Sequence, residues 1–295
     1  MPTTMKFLLF ICLLLPFHPF AQSAGKVIEG QTITSKILGK PVRYSVYLPA
    51  DYDHSERMYP VVYLLHGYTD NDSGWLQFGE VNRYADQGIA EGTLPPMIII
   101  MPDAGVSWYI NSYDGAVKYE DFFIQEFMPQ IEKTWRIKAE KQFRGVAGLS
   151  MGGYGTLIYA LKYPELFAAA APLSAAVSDD ESMRTMDDNT WAQIFGPLFG
   201  RKLSGTDRLT AAWYANSPLK MIEEKPLESL RQVRYWIDCG DDDFLTIGNS
   251  QLHIALTRKG VPHEFRVRDG AHTWTYWRTG ITDALQFIGD SFRRK

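Results

Sequence analysis

The 295-residue chain is 45% hydrophobic and 22% charged, which excludes wholesale disorder and fits one large packed domain better than two small ones. A formal charge of −4, with Lys and Arg scattered, excludes a nucleic-acid partner drawn by a basic field. Aromatic residues, at 14%, are the one excess, and several lie beside the motifs described below.

Residues 1–24 differ from the rest. Lys6 precedes an apolar run over 7–17, and Ala21-Gln22-Ser23-Ala24 supplies small residues beyond it. This pattern describes a signal peptide, so export to a periplasm or the cell exterior is expected. The run is too short to span a bilayer, and the residues before Cys12 lack the small side chains of a lipoprotein cleavage box. No membrane anchor is therefore expected. With the leader removed, Cys239 is the sole cysteine, which excludes an internal disulfide and a cysteine zinc site. At the end of an apolar strand it reads as core filler.

Residues 25–295 then form the working domain. Alternation over 27–38 and 42–48 predicts two strands. Val61-Val62-Tyr63-Leu64-Leu65 and residues 97–101 are continuous apolar runs of the kind found in buried parallel strands. Residues 119–135 have helical spacing. A strand over 143–147 enters Gly148 directly, a helix follows over 156–163, and 167–173 is a further strand. Over 174–227 the periodicity is lost, and this stretch reads as a helical cap inserted over one end of the sheet. Strands over 233–237 and 263–267 alternate with helices over 250–259 and 275–292. Strands alternating with helices predict an α/β fold, a mostly parallel sheet covered on both faces.

Gly148-Leu149-Ser150-Met151-Gly152 matches G-x-S-x-G in the required strand-to-helix setting. There a serine is held on a sharp turn, and a side chain at either glycine would strike neighbouring backbone. Ser150 is thus the candidate nucleophile. Its base should lie downstream, where His253, His263 and His272 are available. His253 falls within a helix, and His263 begins a strand. His272 sits in a loop after the last strand, where the base of this arrangement belongs. The orienting acid should follow the preceding strand, and Asp238, Asp241, Asp242 and Asp243 are the choices. Asp238 still belongs to the strand and should point into the sheet. Asp243 is far enough beyond it to turn back, whereas Asp241 and Asp242 also suit solvated loop charges or helix caps. His66-Gly67-Tyr68 follows an earlier strand, and its glycine permits close backbone approach. The backbone N–H groups of Tyr68 and Met151 are the expected oxyanion donors, with His66 structural. No metal-binding motif is present, and no cofactor is expected.

Leu64-Leu65-His66-Gly67, Trp108-Tyr109, Tyr119-Glu120-Asp121, residues 147–155, Asn216-Ser217-Pro218, residues 238–245 and residues 270–277 together resemble the esterase D-like branch of the α/β hydrolases. That branch includes carbohydrate esterase family 1, with feruloyl, acetylxylan and tributyrin esterases, S-formylglutathione hydrolases and, more distantly, mycobacterial mycolyltransferases. The resemblance runs from about Lys36 to Phe287 and implies the α/β-hydrolase fold. It implies Asp243, immediately before Phe244-Leu245, as the acid, and His272, in Gly270-Ala271-His272-Thr273-Trp274, as the base. Where S-formylglutathione hydrolases carry a cysteine-containing motif after the oxyanion glycine, this chain has Tyr68-Thr69-Asp70.

Export together with this resemblance implies a serine esterase removing feruloyl or acetyl groups from plant cell-wall polysaccharide, with a small-molecule or carbohydrate ester as its partner. Trp108, Tyr109 and Trp274 are candidates for an aromatic substrate wall; the alternative is that they support the triad loops. A general short-chain acyl esterase, or one acting on siderophore lactones, is the second reading. A non-catalytic binding protein on the same scaffold is the third.

Overall fold

The computed structural model describes residues 24–293 together with Met1. The leader expected over 1–24, Cys12 included, therefore lies almost wholly outside the described residues. Among the described residues eight strands form one sheet: β1 (Lys26–Thr34), β2 (Pro41–Leu48), β3 (Val61–Leu65), β4 (Ile98–Pro102), β5 (Arg144–Leu149), β6 (Ala169–Leu173), β7 (Arg234–Gly240) and β8 (His263–Arg268). Their order is β1-β2-β4-β3-β5-β6-β7-β8. From β4 to β8 every pairing is parallel, and β2 runs antiparallel to both its neighbours. β1 and β8 are the edges. The register of β1 on β2 breaks between Ile28 and Gln31, where Gly30 takes a positive φ of 65°.

Five longer helices cover the sheet: α1 (Val81–Ala90), α2 (119–134), α3 (Met151–Lys162), α4 (Thr246–Lys259) and α5 (Trp274–Arg293). Strand periodicity decides which face each residue serves. Val61, Tyr63 and Leu65 point into a core with Phe123 and Phe127 of α2, Leu157 of α3 and Leu252 of α4. Val62 and Leu64 point the other way, to Val81 of α1 and Ile281 and Leu285 of α5. Both faces are thus buried, which is why β3 and β4 are apolar throughout rather than alternating. The helix expected over 156–163 begins earlier, at Met151, and the one expected over 250–259 begins at Thr246.

The aperiodic stretch 174–227 is built from helices of four to seven residues: Asp180–Thr185, Asp188–Ile194, Gly196–Phe199, Ala211–Tyr214 and Pro218–Glu224. Its polar residues are largely caps. Asp179, Asp187, Thr210 and Ser217 each accept a hydrogen bond from a first-turn N–H. Two motifs distant in sequence, one of them within this insertion, meet at Lys162. Lys162 Nζ donates to Glu120 Oε2 and to Asn216 Oδ1, both at 2.7 Å, and Tyr163 Oη donates to Glu120 Oε1 at 2.7 Å.

Candidate active site

Ser150 stands between the end of β5 and the start of α3, with φ 55° and ψ −114°. A non-glycine residue holds such a conformation only where its surroundings over-determine it. Here Ser150 N–H donates to Leu173 O at 3.0 Å, and Ser150 O accepts from the N–H groups of Tyr154 and Ala176. A Cβ at Gly152 would lie 2.4 Å from Leu65 O, so only glycine lets α3 start this close to β3.

His272 Nε2 lies 2.9 Å from Ser150 Oγ. Its Nδ1 lies 2.8 Å from Asp243 Oδ2 and 3.0 Å from Oδ1. This pairing assigns the proton to Nδ1 and leaves Nε2 to accept from the serine hydroxyl. The Asp243 side chain is fully buried, and its Oδ1 also accepts from Leu245 N–H at 2.8 Å. Burial alone pushes its carboxyl up. Hydrogen bonds from His272, Leu245 N–H and Ser174, with the imidazole beside it, hold it below the ordinary carboxylate range. Trp277 meets the His272 ring edge-on at 4.7 Å and donates from Nε1 to Ser174 Oγ at 3.0 Å. The imidazole is therefore fixed by a carboxylate at one side and an indole at its face.

The loops carrying Asp243 and His272 touch through backbone. A Cβ at Gly240 would lie 2.0 Å from Gly270 O. Asp241 joins them as well, its Oδ1 accepting from Gly270 N–H at 3.0 Å. Asp241 and Asp242 are exposed and cap no helix. Asp238 is buried and paired with Arg268 of β8 through two hydrogen bonds of 2.9 and 3.0 Å, so it points into the sheet.

The other two downstream histidines lie together, away from this arrangement. His253 Nδ1 is 2.8 Å from His263 Nε2, and its ring stacks on Phe265. His66 is buried, its Nδ1 paired with Gly67 O and its Nε2 accepting from Ala104 N–H at 2.8 Å. Both nitrogens serve the loop backbone, which is a structural role. Cys239 is buried and its thiol is pushed up to about 12 by desolvation, as suits core filler.

The expected oxyanion donors come from loops that touch. Gly67 packs on Leu149, where a Cβ would be 2.6 Å from Leu149 Cδ1 and 3.7 Å from Ser150 Cβ. Tyr68 follows it, and Met151 opens α3. Among the described residues neither of their N–H groups donates a hydrogen bond.

Ser150 and His272 open onto a cleft of about 470 Å³. Trp108 and Trp274 line it. Tyr109 does not, which corrects the sequence expectation. It is fully buried, donates from its hydroxyl to His66 O at 3.0 Å and packs on Tyr119. Trp108 and Tyr109 both take positive φ, 55° and 62°, and this turn sends one ring to the cleft and the other to the core. Sequence reasoning missed Phe195, Met186 and Ile194 from the insertion, and Phe244 and Trp277 beside Asp243 and His272. Phe244 is 75% exposed, its ring 4.5 Å from His272 at the cleft mouth. The last two lie inside motifs already singled out; the first three carried no signal.

This geometry has counterparts. The esterase family model matches residues 35–288. A solved ferulic acid esterase superposes with a TM-score of 0.78 at 35% identity, covering 91% of this chain and 99% of that one. Esterase Rv1288 of Mycobacterium tuberculosis is 32% identical over 249 residues, 78% of this chain. This chain spans 52% of that relative, about half its length. An acetyl esterase of Caldicellulosiruptor saccharolyticus is 25% identical, covering 86% of this chain and 95% of its own. The chain belongs to the esterase family, in the esterase D-like branch that includes carbohydrate esterase family 1, and it has the α/β-hydrolase fold.

Proposed function

We propose that this is an exported esterase that removes feruloyl groups from plant cell-wall polysaccharide or its fragments, with Ser150, His272 and Asp243 as its catalytic triad. The observation that carries the reading is the position of Ser150 Oγ, 2.9 Å from His272 Nε2, at a cleft walled by Trp108, Phe195 and Trp274. Flat aromatic walls suit a hydroxycinnamoyl ring, and the cleft's volume is that of a small-molecule site. Likeness to a ferulic acid esterase supports the acyl group. Export rests on the leader pattern over 1–24.

In the first step Ser150 Oγ bonds to the ester carbonyl carbon while its proton passes to His272 Nε2. The Tyr68 and Met151 N–H groups receive the oxyanion, and Asp243 holds the imidazolium. Collapse breaks the carbon–oxygen bond to the alcohol, which leaves with the proton from His272. Water then adds to the acyl-enzyme through the same histidine, releasing the acid and restoring Ser150.

The test is hydrolysis of methyl ferulate, acetylated xylan and p-nitrophenyl acetate side by side. Preference for methyl ferulate supports the reading. Turnover of p-nitrophenyl acetate alone would make this a short-chain acyl esterase, and turnover of acetylated xylan without methyl ferulate an acetyl esterase.

A further inference from the structure

We propose that Arg208 is a positioning residue for the insertion-side wall of the cleft, and through it sets how large an acyl group the enzyme accepts. This rests on the reading of Ser150 and its cleft as the reaction site. Arg208 ends the short 3₁₀ turn Gly205–Arg208 and is fully buried, a placement arginine rarely takes unless paired. Its pairing is unusual. Nη1 donates to Met186 O at 2.6 Å and Met183 O at 3.1 Å, and Nε to Leu203 O at 3.2 Å. Nη2 donates to the Asp188 carboxylate, whose side chain is 76% exposed. The guanidinium carbon lies 4.9 Å from the centre of the Trp191 ring. Main-chain carbonyls and an indole face, rather than a buried carboxylate, thus surround most of the charge.

Those partners are the roots of the cleft wall. Met183 and Met186 lie at the end of helix Asp180–Thr185, and the Met186 side chain lines the cleft. Asp188 and Trp191 belong to helix Asp188–Ile194, which delivers Ile194 and then Phe195 to the same cleft. One side chain therefore fixes two wall elements against each other. Neither helix exceeds seven residues, too short to hold its own geometry without such a tie. Lysine cannot substitute, because its donors share one nitrogen and cannot reach carbonyls and carboxylate in a planar fork. A wall loosened in this way loses contact with a bulky acyl group first.

The test measures wild type, Arg208→Lys and Arg208→Met on methyl ferulate and p-nitrophenyl acetate, with melting curves alongside. The ratio of kcat/KM, ferulate over acetate, is expected to fall about tenfold or more, carried by the KM for ferulate. Equal loss on both substrates, or an unchanged ratio, would overturn the proposal and leave Arg208 a residue of stability alone. Should neither variant fold, Met186→Ala and Ile194→Ala keep the Arg208 network and must lower the same ratio; no change in either overturns the proposal. If wild type hydrolyses p-nitrophenyl esters but not methyl ferulate, the feruloyl reading fails. Arg208 is then judged on the same ratio between p-nitrophenyl butyrate and acetate.

Discussion

The strand-end loops that carry Ser150, His272 and Asp243 and the insertion that walls the cleft hold their shape by different means. At the strand ends backbone meets backbone. Gly152 lies against Leu65 and Gly240 against Gly270, with no room for a methyl group at either contact. In the insertion, helices of a turn or two are held by side chains: the caps Asp179, Asp187 and Thr210, and the buried Arg208. Backbone contacts fix reacting atoms to the tolerance that proton transfer demands. Side-chain ties can be exchanged one at a time. On the proposed function, the first region is suited to a constant reaction and the second to a changeable choice of substrate.

The largest effect should come from Ser150→Ala, which is expected to lower kcat by about six orders of magnitude while the melting temperature stays near wild type. Turnover beyond a trace would remove Ser150 from the mechanism. Asp243→Asn is expected to cost about four orders of magnitude through loss of imidazole orientation, and Asp241→Asn less than about tenfold. Equal losses would mean that the wrong carboxylate has been assigned. The two regions separate further in stability. Gly152→Ala places a methyl group 2.4 Å from Leu65 O and should cost about 3 kcal/mol or more in urea denaturation. Removing a cap from the insertion, Thr210→Ala, should cost only about 1 kcal/mol. Equal costs would erase the distinction between the two regions.

A smaller effect concerns acid. The carboxyl of Asp243 is depressed in the folded protein from an ordinary value of 3.8. A depressed acid stabilises the fold at pH above its unfolded value, and that contribution is lost as pH falls through the folded value. The change in melting temperature caused by Asp243→Asn should therefore shift toward stabilisation below about pH 4. A difference independent of pH would show that the carboxylate's hydrogen bonds do not favour its ionised form.

The same division explains what the sequence made legible. Ser150 was readable because its motif is local and its strand and helix are periodic. Asp243 and His272 were readable because each follows a strand end in chain order. Phe195, Met186 and Ile194 were not, because helices of four to seven residues show no period and these ones are tied through Arg208, a contact distant in sequence. Tyr109 was misplaced because adjacency to Trp108 says nothing about two successive left-handed residues. The start of α3 was read late because Gly152, Gly153 and Gly155 weaken helix propensity where packing requires them.

The sheet's two rims carry a separate consequence. β8 bears His263, Glu264, Arg266 and Arg268, and β1 bears Lys26 and Glu29 beside the register break at Gly30. Charged rungs and a kinked border are poor templates for a second extended chain. Among the described residues both sheet edges are thereby guarded against fibril-like growth by strand addition. The protein's colloidal behaviour should be governed by salt and side-chain surfaces, so that concentrated stocks respond to ionic strength rather than seeding cross-β assembly.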